Sequence, residues 1–498
     1  MKMFQGKLKY LTLFLAGGMA DLALAPFFVF PILFVSFPIF FKILETAENK
    51  KQAFKIGWCF GFGYFVFGLY WIANSLLVDA EKFAWLIPFA VCGIPFLLAI
   101  YIGLFALSYK VTSQNFSSPA KIVLFASLWV IFEFLRAILF TGFPWNLIGY
   151  TALFSLQFSQ LAAIGGVYLL SFLIVIITLT ITCKNDKFIA AVIILTIANY
   201  GYGYYHINNQ VQHTKSASKI MIFQPSVQQT LKWDPLAAKK QFLADVDYIK
   251  SKNFKDNDII LWPESGVPYY LTSEPWIVDT LQNITPNNGI MVTGALRAEG
   301  ETKEDYKVWN TLYAISRTGI YKYYDKIHLV PFGEFVPLRN VLPIDKITPG
   351  ALDFSRGTER PVIKYTNGPG FLPLICYEVI FPNYAKSATK PDLLVNITND
   401  GWFGNSTGPQ QHLAMARMRA IEQGIPLLRA ANTGISAVID PVGKVISSLK
   451  YNERNIINID LELSSSATMY NTYGDLTICG LILISLTIML IFRRKLQN

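Results

Sequence analysis

The stretch Leu374-Ile375-Cys376-Tyr377-Glu378 puts a cysteine and a carboxylate at the end of an apolar run, Leu372–Cys376. A short run that is apolar on both faces predicts a strand covered on both sides. Working outward, runs of the same kind recur at Ile220–Gln224, Asp258–Trp262, Gly289–Gly294, Leu312–Ser316, Leu393–Ile397, Leu427–Ala430 and Ala437–Asp440. Helix-like segments such as Pro235–Ser251 and Gln411–Gln423 intervene. This alternation predicts an α/β domain of about 250 residues, enough for one sizeable core.

The rest of the chain is a different object. Of 498 residues, 53% are hydrophobic and only 15% charged. An average soluble protein carries roughly 25% charge. Residues 1–210 hold 13 of the 43 Lys+Arg and 7 of the 33 Asp+Glu, so the charge deficit lies there. The composition excludes an ordinary cytosolic enzyme and a disordered chain. The net charge of +10 comes without an Arg-rich face or Lys run, so no nucleic-acid partner is expected.

Runs long enough to cross a bilayer need about 20 apolar residues. They fall at about 10–25, 26–44, 55–76, 83–109, 120–140, 161–182, 186–204 and 475–492. The first, preceded by Lys2, Lys7 and Lys9, also has the shape of a signal peptide. Its apolar pattern continues directly into further spans, which favours a membrane helix. Basic residues order the eight spans. With the N-terminus cytoplasmic, Lys50, Lys51, Lys55, Lys110, Lys121, Lys184, Lys187 and the tail Arg493-Arg494-Lys495 share one side. The opposite loops hold Lys82 and little else. The expected organisation is therefore a seven-span bundle over 1–210, an extracytoplasmic domain over 211–470, and a last span with a basic cytoplasmic tail over 471–498. Within one span, Glu133 and Arg136 share a helix face and could pair; a structural pair is the simpler reading, a role near a lipid headgroup the other. Thr141-Gly142-Phe143-Pro144-Trp145-Asn146 follows as an aromatic turn.

Cysteine usage narrows the chemistry. Cys59, Cys92, Cys183 and Cys479 lie in apolar segments, leaving Cys376 alone in the polar part. That part cannot close an internal disulfide. No Cys/His spacing suggests zinc, and four histidines give little scope for a His-based centre. Two further stretches stand beside Cys376. Leu261-Trp262-Pro263-Glu264-Ser265 sets Glu264 after an apolar strand, and Tyr324-Asp325-Lys326-Ile327-His328-Leu329-Val330-Pro331-Phe332-Gly333-Glu334 carries Lys326. Strand ends are where open α/β sheets gather reactive groups. A Cys, a Lys and a carboxylate brought together make a nucleophilic site: an ammonium lowers a thiol pKa, and a carboxylate takes its proton. Taken singly, Cys376 is equally a packed thiol, Glu264 a helix cap and Lys326 a solvated loop charge.

The ordered set resembles the Glu–Lys–Cys triad of the nitrilase (carbon–nitrogen hydrolase) superfamily, whose fold is an αββα sandwich. With the membrane spans around it, the chain resembles the apolipoprotein N-acyltransferase family, a membrane-bound branch of that superfamily. Thr141-Gly142-Phe143-Pro144-Trp145, Phe223-Gln224-Pro225, Trp262-Pro263-Glu264, Lys326 to Glu334, Cys376-Tyr377-Glu378 and Asn399-Asp400-Gly401-Trp402-Phe403 carry the resemblance. It implies Glu264 as general base, Lys326 as oxyanion and pKa-tuning lysine, and Cys376 as nucleophile. It implies Glu334 as support for Lys326, the Tyr377 N–H as an oxyanion donor, and Trp233, Glu378 and Trp402 around the substrate. It also implies a bacterial inner-membrane enzyme with a periplasmic site. A phospholipid would give its acyl chain, through a Cys376 thioester, to the α-amino group of a diacylglyceryl-cysteine apolipoprotein. Apolar loops with Phe332, Phe335, Trp402 and Phe403 would keep water away. No metal or organic cofactor is expected, and a monomer is the default. Two other readings stand beside it: a membrane-tethered nitrilase-type amidase or thioesterase, and a non-enzymatic transporter or scaffold.

Overall fold

A computed structural model describes residues 6–209, 212–252, 254–256, 258–302, 305–341, 344–350, 352–365 and 368–491. The chain divides into two compact units. One comprises Met1–Ala73, Trp85–Gln210 and Ala467–Asn498, the other Asn74–Ala84 and Val211–Ser466.

The first unit is helical. Its longer helices are Leu8–Asp21, Leu33–Glu45, Lys50–Gly68, Ile94–Thr112, Ser118–Ile138, Ala162–Leu179, Asp186–Asn209 and Leu476–Ile491. A helix therefore occupies each apolar run. Among the described residues, three segments are long and apolar enough to cross a membrane: Ala80–Thr112, Ala162–Thr182 and Asp186–Asn209. The run expected over 55–76 ends early as a helix at Gly68 and resumes as a short helix, Ile72–Leu77. Lys2 and the basic tail Arg493-Arg494-Lys495 lie outside the described residues. Glycines let two helices meet closely: a side chain on Gly17 would strike the Phe60 carbonyl, and one on Gly63 the Phe14 carbonyl. Glu133 and Arg136 are both buried. Glu133 accepts from the Trp129 indole (3.0 Å) and the Ile148 N–H (2.8 Å). Arg136 donates to the carbonyls of Phe143 and Trp145, fixing the aromatic turn from inside.

The second unit is a four-layer αββα sandwich. Its strands are β1 (Gln212–Gln224), β2 (Ile259–Leu261), β3 (Ile290–Glu299), β4 (Lys307–Ser316), β5 (Gly319–Asp325), β6 (Phe371–Ile375), β7 (Leu393–Thr398), β8 (Leu427–Ala431), β9 (Ala437–Ile439), β10 (Val445–Ser448) and β11 (Asn455–Ser465). One sheet runs β11-β1-β2-β3-β4-β5 and the other β10-β9-β8-β7-β6. The centres are parallel (β1-β2-β3 and β6-β7-β8), and the flanking pairings are antiparallel. Ile222, Leu261, Val292 and Leu312 from one sheet meet Ile375, Val395, Ile397 and Leu428 from the other, forming the inter-sheet core. On the outer face of the six-stranded sheet, Phe242, Val246, Ile277 and Leu281 of helices Pro235–Lys250 and Pro275–Ile284 cover Met221, Ile260, Trp262 and Met291. Both inner strand faces are thus dry, which is why the central strands are apolar throughout. Asp234 caps the first of these helices, accepting from the Ala237 N–H at 2.7 Å. Helix Gly408–Gln423 packs against β8 of the other sheet.

Residues 74–84 cluster with this sandwich rather than with the helices around them in sequence. The Asn74 carboxamide donates to the Phe403 carbonyl at 2.8 Å, and Lys82 pairs with Asp345 at 2.6 Å.

Candidate active site

Three loops at strand ends bring the reactive groups together. Glu264 follows β2, Lys326 follows β5, and Cys376 follows β6. The backbone is bent sharply at two of these exits. Cys376 itself has φ +50°, and Ser265, next to Glu264, has φ +51°. Side chains are strained in this region, and such strain concentrates at functional sites. Gly294 on β3 makes the approach possible, since a Cβ there would press on the Glu264 backbone.

Lys326 is buried with its Nζ 2.9 Å from Glu334 Oε1 and 3.7 Å from Glu264 Oε1. Glu334 is fixed in turn by the Val330 N–H at 2.8 Å on its other oxygen. Asn310 on β4 completes the set. Its Nδ2 donates to Glu264 Oε1 at 2.7 Å and to Glu334 Oε1 at 2.9 Å. Burial pulls the Lys326 ammonium's pKa down, but Glu334 and Glu264 outweigh it and hold the pKa above its usual value. The two carboxylates thus favour the charged form of Lys326.

Sequence alone expects that cation to lower the thiol pKa. Lys326 does act in that direction. Burial of Cys376 and the Glu264 charge act against it and win, so the thiol pKa lies above its usual value. Burial is the larger cause, since a thiolate loses its hydration there, and the Glu264 carboxylate adds to it. An anion on sulfur is therefore favoured only when the proton passes directly to a neighbouring base.

The remaining expected residues fall as follows. Tyr377 is buried, with its ring against Phe381 and His328. Glu378 is completely enclosed. Oε1 accepts from Tyr324 Oη (2.7 Å), Ile327 N (2.8 Å) and His328 N (3.1 Å), and Oε2 from Ile375 N (2.8 Å). Its carboxylate therefore ties the Lys326 loop to the Cys376 loop. Trp402 lies in the 3₁₀ turn Asp400–Phe403 and is half-buried, as are Phe335 and Phe403, while Phe332 is exposed. Trp233 closes the 3₁₀ turn Leu231–Trp233, and its side chain lies outside the described residues.

The structure adds Asn310 and a polar cluster behind the nucleophile, of which the sequence singles out only Asp400, and that without a role. Thr398, Asp400, His412 and Arg429 are all buried there. Arg429 gave a signal, being a charge inside an apolar strand. Asn310 gave none, since it precedes the run read as a strand. Among the described residues, no group of three or more His, Cys, Asp or Glu could hold a metal ion.

A cysteine on a strained strand exit, beside a buried Lys held by two glutamates in an αββα sandwich, defines the carbon–nitrogen hydrolase class. Residues 210–470 match the carbon–nitrogen hydrolase family, and residues 16–180 match the apolipoprotein N-acyltransferase N-terminal domain. Relatives named apolipoprotein N-acyltransferase are similar over almost their whole lengths. The one from Bradyrhizobium diazoefficiens is 38% identical over 96% of this chain and 94% of its own. That from Rhodopseudomonas palustris is 36% identical over 97% and 94%, and that from Rickettsia prowazekii 34% over 96% and 98%. The chain belongs to the apolipoprotein N-acyltransferase family.

Proposed function

We propose that this protein transfers an acyl chain from a membrane phospholipid to the α-amino group of a diacylglyceryl-cysteine apolipoprotein. The observation that carries the reading is the meeting of Glu264, Lys326, Glu334 and Cys376 in one buried pocket, in a chain of this family.

In the first half-reaction, Glu264 takes the thiol proton as Cys376 Sγ attacks the ester carbonyl. The new oxyanion lies between Lys326 Nζ and the Tyr377 N–H. Collapse expels the lysophospholipid alkoxide, which receives the proton from Glu264. The sulfur now carries the acyl chain as a thioester. In the second, the acceptor amine attacks that thioester, Glu264 removes the amine's proton, and the thiol is restored. The order is ping-pong. Glu334 holds Lys326 in place, Glu378 holds the two loops in register, and Trp233 and Trp402 are assigned to the substrate by their positions in the family's pattern. Phe332, Phe335 and Phe403 exclude water from the thioester.

The lipid-borne substrates require the site to sit at a membrane surface. Eight spans provide that anchorage, with both termini cytoplasmic and the sandwich on the periplasmic side of the bacterial inner membrane. The basic residues of one set of loops support this orientation. The enzyme acts as a monomer and needs no metal or organic cofactor. Purified protein given phospholipid and a diacylglyceryl peptide tests the reading: a triacylated peptide is the expected product, and free fatty acid alone contradicts it.

A further inference from the structure

We propose that His412 is a positioning residue for the oxyanion hole. Its Nε2–H holds the carbonyl of the Cys376–Tyr377 peptide and so aims that peptide's N–H at the developing oxyanion. The inference rests on Cys376 as nucleophile and the Tyr377 N–H as oxyanion donor.

His412 stands on helix Gly408–Gln423 and has no exposed surface. Its Nε2 lies 3.2 Å from the Cys376 carbonyl oxygen. A carbonyl only accepts, so Nε2 carries the hydrogen. The ring is held from its other side as well. Asp400 Oδ1 lies 2.8 Å from Nδ1, and Arg429 Nη2 lies 3.0 Å from it. Arg429 in turn donates to Asp400 Oδ2 at 2.6 Å and to the Asn396 side-chain oxygen. Asp400, Arg429 and Asn396 are as fully buried as His412, so solvent does not compete for these bonds.

Three successive residues at the nucleophile are thus pinned by buried side chains. Asn396 Nδ2 donates to the Leu374 carbonyl at 3.1 Å, and Glu378 Oε2 accepts from the Ile375 N–H at 2.8 Å. These two fix the chain entering Cys376. His412 is the one of the three that fixes the peptide leaving it. That peptide needs holding, because Cys376 at φ +50° sits in the left-handed region that is costly for an L residue.

The link to catalysis is the geometry of one amide. In a planar trans peptide the C=O and the N–H point in opposite directions. The Cys376–Tyr377 peptide is trans, so the group that holds its carbonyl also sets the direction of its N–H. A hydrogen bond at the carbonyl polarises the amide and strengthens the N–H as a donor. Oxyanion stabilisation depends on donors that are aimed before the charge develops. His412 supplies that aim without touching substrate, and it gives up no proton in doing so. Asp400 and Arg429 keep the ring in place.

Full-length protein in detergent micelles, with phosphatidylethanolamine as acyl donor, tests this by separating two reactions of one sulfur. Acyl-enzyme formation passes through an oxyanion. Alkylation by iodoacetamide displaces iodide and passes through none. Both are followed on the Cys376 peptide by mass. His412→Phe keeps a ring and removes the donor; His412→Gln returns an N–H near the place of Nε2. H412F is expected to slow acylation about 10- to 100-fold, up to the loss caused by removing a whole oxyanion donor. Its alkylation is expected to stay within about twofold of wild type. H412Q is expected to recover most of the acylation rate. Alkylation falling in step with acylation, H412F acylating within about twofold of wild type, or H412Q as slow as H412F overturns the proposal. If H412F does not fold, H412Q is compared with His412→Asn, whose shorter amide reaches only the place of Nδ1, and equal acylation rates overturn it. Wild-type protein that is alkylated at Cys376 but takes no acyl chain rejects the acyltransferase reading, and this role with it.

Discussion

Asn310 donates to Glu264 at 2.7 Å, from a strand that also supplies nothing but apolar neighbours to the inter-sheet core. The same amide reaches Glu334 at 2.9 Å. One neutral NH₂ thus separates two buried carboxylates and leaves the Lys326 charge to be shared between them. Asn310→Ala removes both bonds without adding charge. Acyl-enzyme formation is expected to fall by about 10- to 100-fold, roughly 1.4–2.7 kcal/mol of barrier, mainly in kcat. Asn310→Asp adds a third carboxylate and is expected to be worse. Burst kinetics on the two variants check the order.

The raised thiol pKa has a direct pH consequence. A group whose pKa is raised by burial stays neutral to higher pH, so thiolate accumulates later than on a free cysteine. Alkylation of Cys376 in resting enzyme is therefore expected to keep rising through pH 9 to 10, where a free thiol levels off near its pKa of about 8.5. In Glu264→Gln the opposing charge is gone, and the rise is expected to begin at lower pH. Peptide mapping separates Cys376 from the other four cysteines.

Glu378 accepts four hydrogen bonds and has no exposed surface. In Glu378→Gln, one oxygen becomes a donor and faces either the Ile375 N–H or the three donors on the opposite side. A loss of about 1–3 kcal/mol in stability is expected, the cost of an unsatisfied buried group. Thermal unfolding measures it, and catalysis is expected to fall with it because the two reactive loops lose their tie.

Arg429 and Asp400 form a pair with neither side chain exposed. Burial raises the Asp400 pKa, but Arg429 and His412 lower it further and hold the carboxyl well below its usual range. Its stabilisation is complete above the unfolded carboxylate pKa and fades as pH falls toward the folded one. Arg429→Met leaves that charge uncompensated. A loss of about 3–5 kcal/mol at neutral pH is expected, with much of it recovered in Arg429→Met/Asp400→Asn. Denaturant unfolding of the single and double variants checks the coupling.

What the sequence made legible follows burial. Ile259–Leu261, Phe371–Ile375 and Leu393–Thr398 are buried at every position, so their runs were unmistakable. β5, β10 and β11 carry no such signal because each is half-exposed and mixes polar with apolar residues. The apolar run begins at Leu312, whereas β4 begins at Lys307, so the pattern leaves Asn310 outside the strand that aims it. Glu264, Lys326 and Cys376 could be named because each ends an apolar run or sits in a distinctive loop. Their supports could not: Asp400, His412 and Arg429 meet only where β7, β8 and helix Gly408–Gln423 pack together. Glu378 shows the same limit, since nothing local reveals that three of its four donors come from residues 324–328.

The central claim is that Cys376 carries the acyl chain between the two substrates. Intact mass after incubation with phospholipid alone tests it most directly, followed by addition of a diacylglyceryl peptide. The account expects one acyl adduct, mapped to Cys376, absent in Cys376→Ser and discharged onto the peptide amine. An adduct on another residue, or discharge only to water, would contradict it.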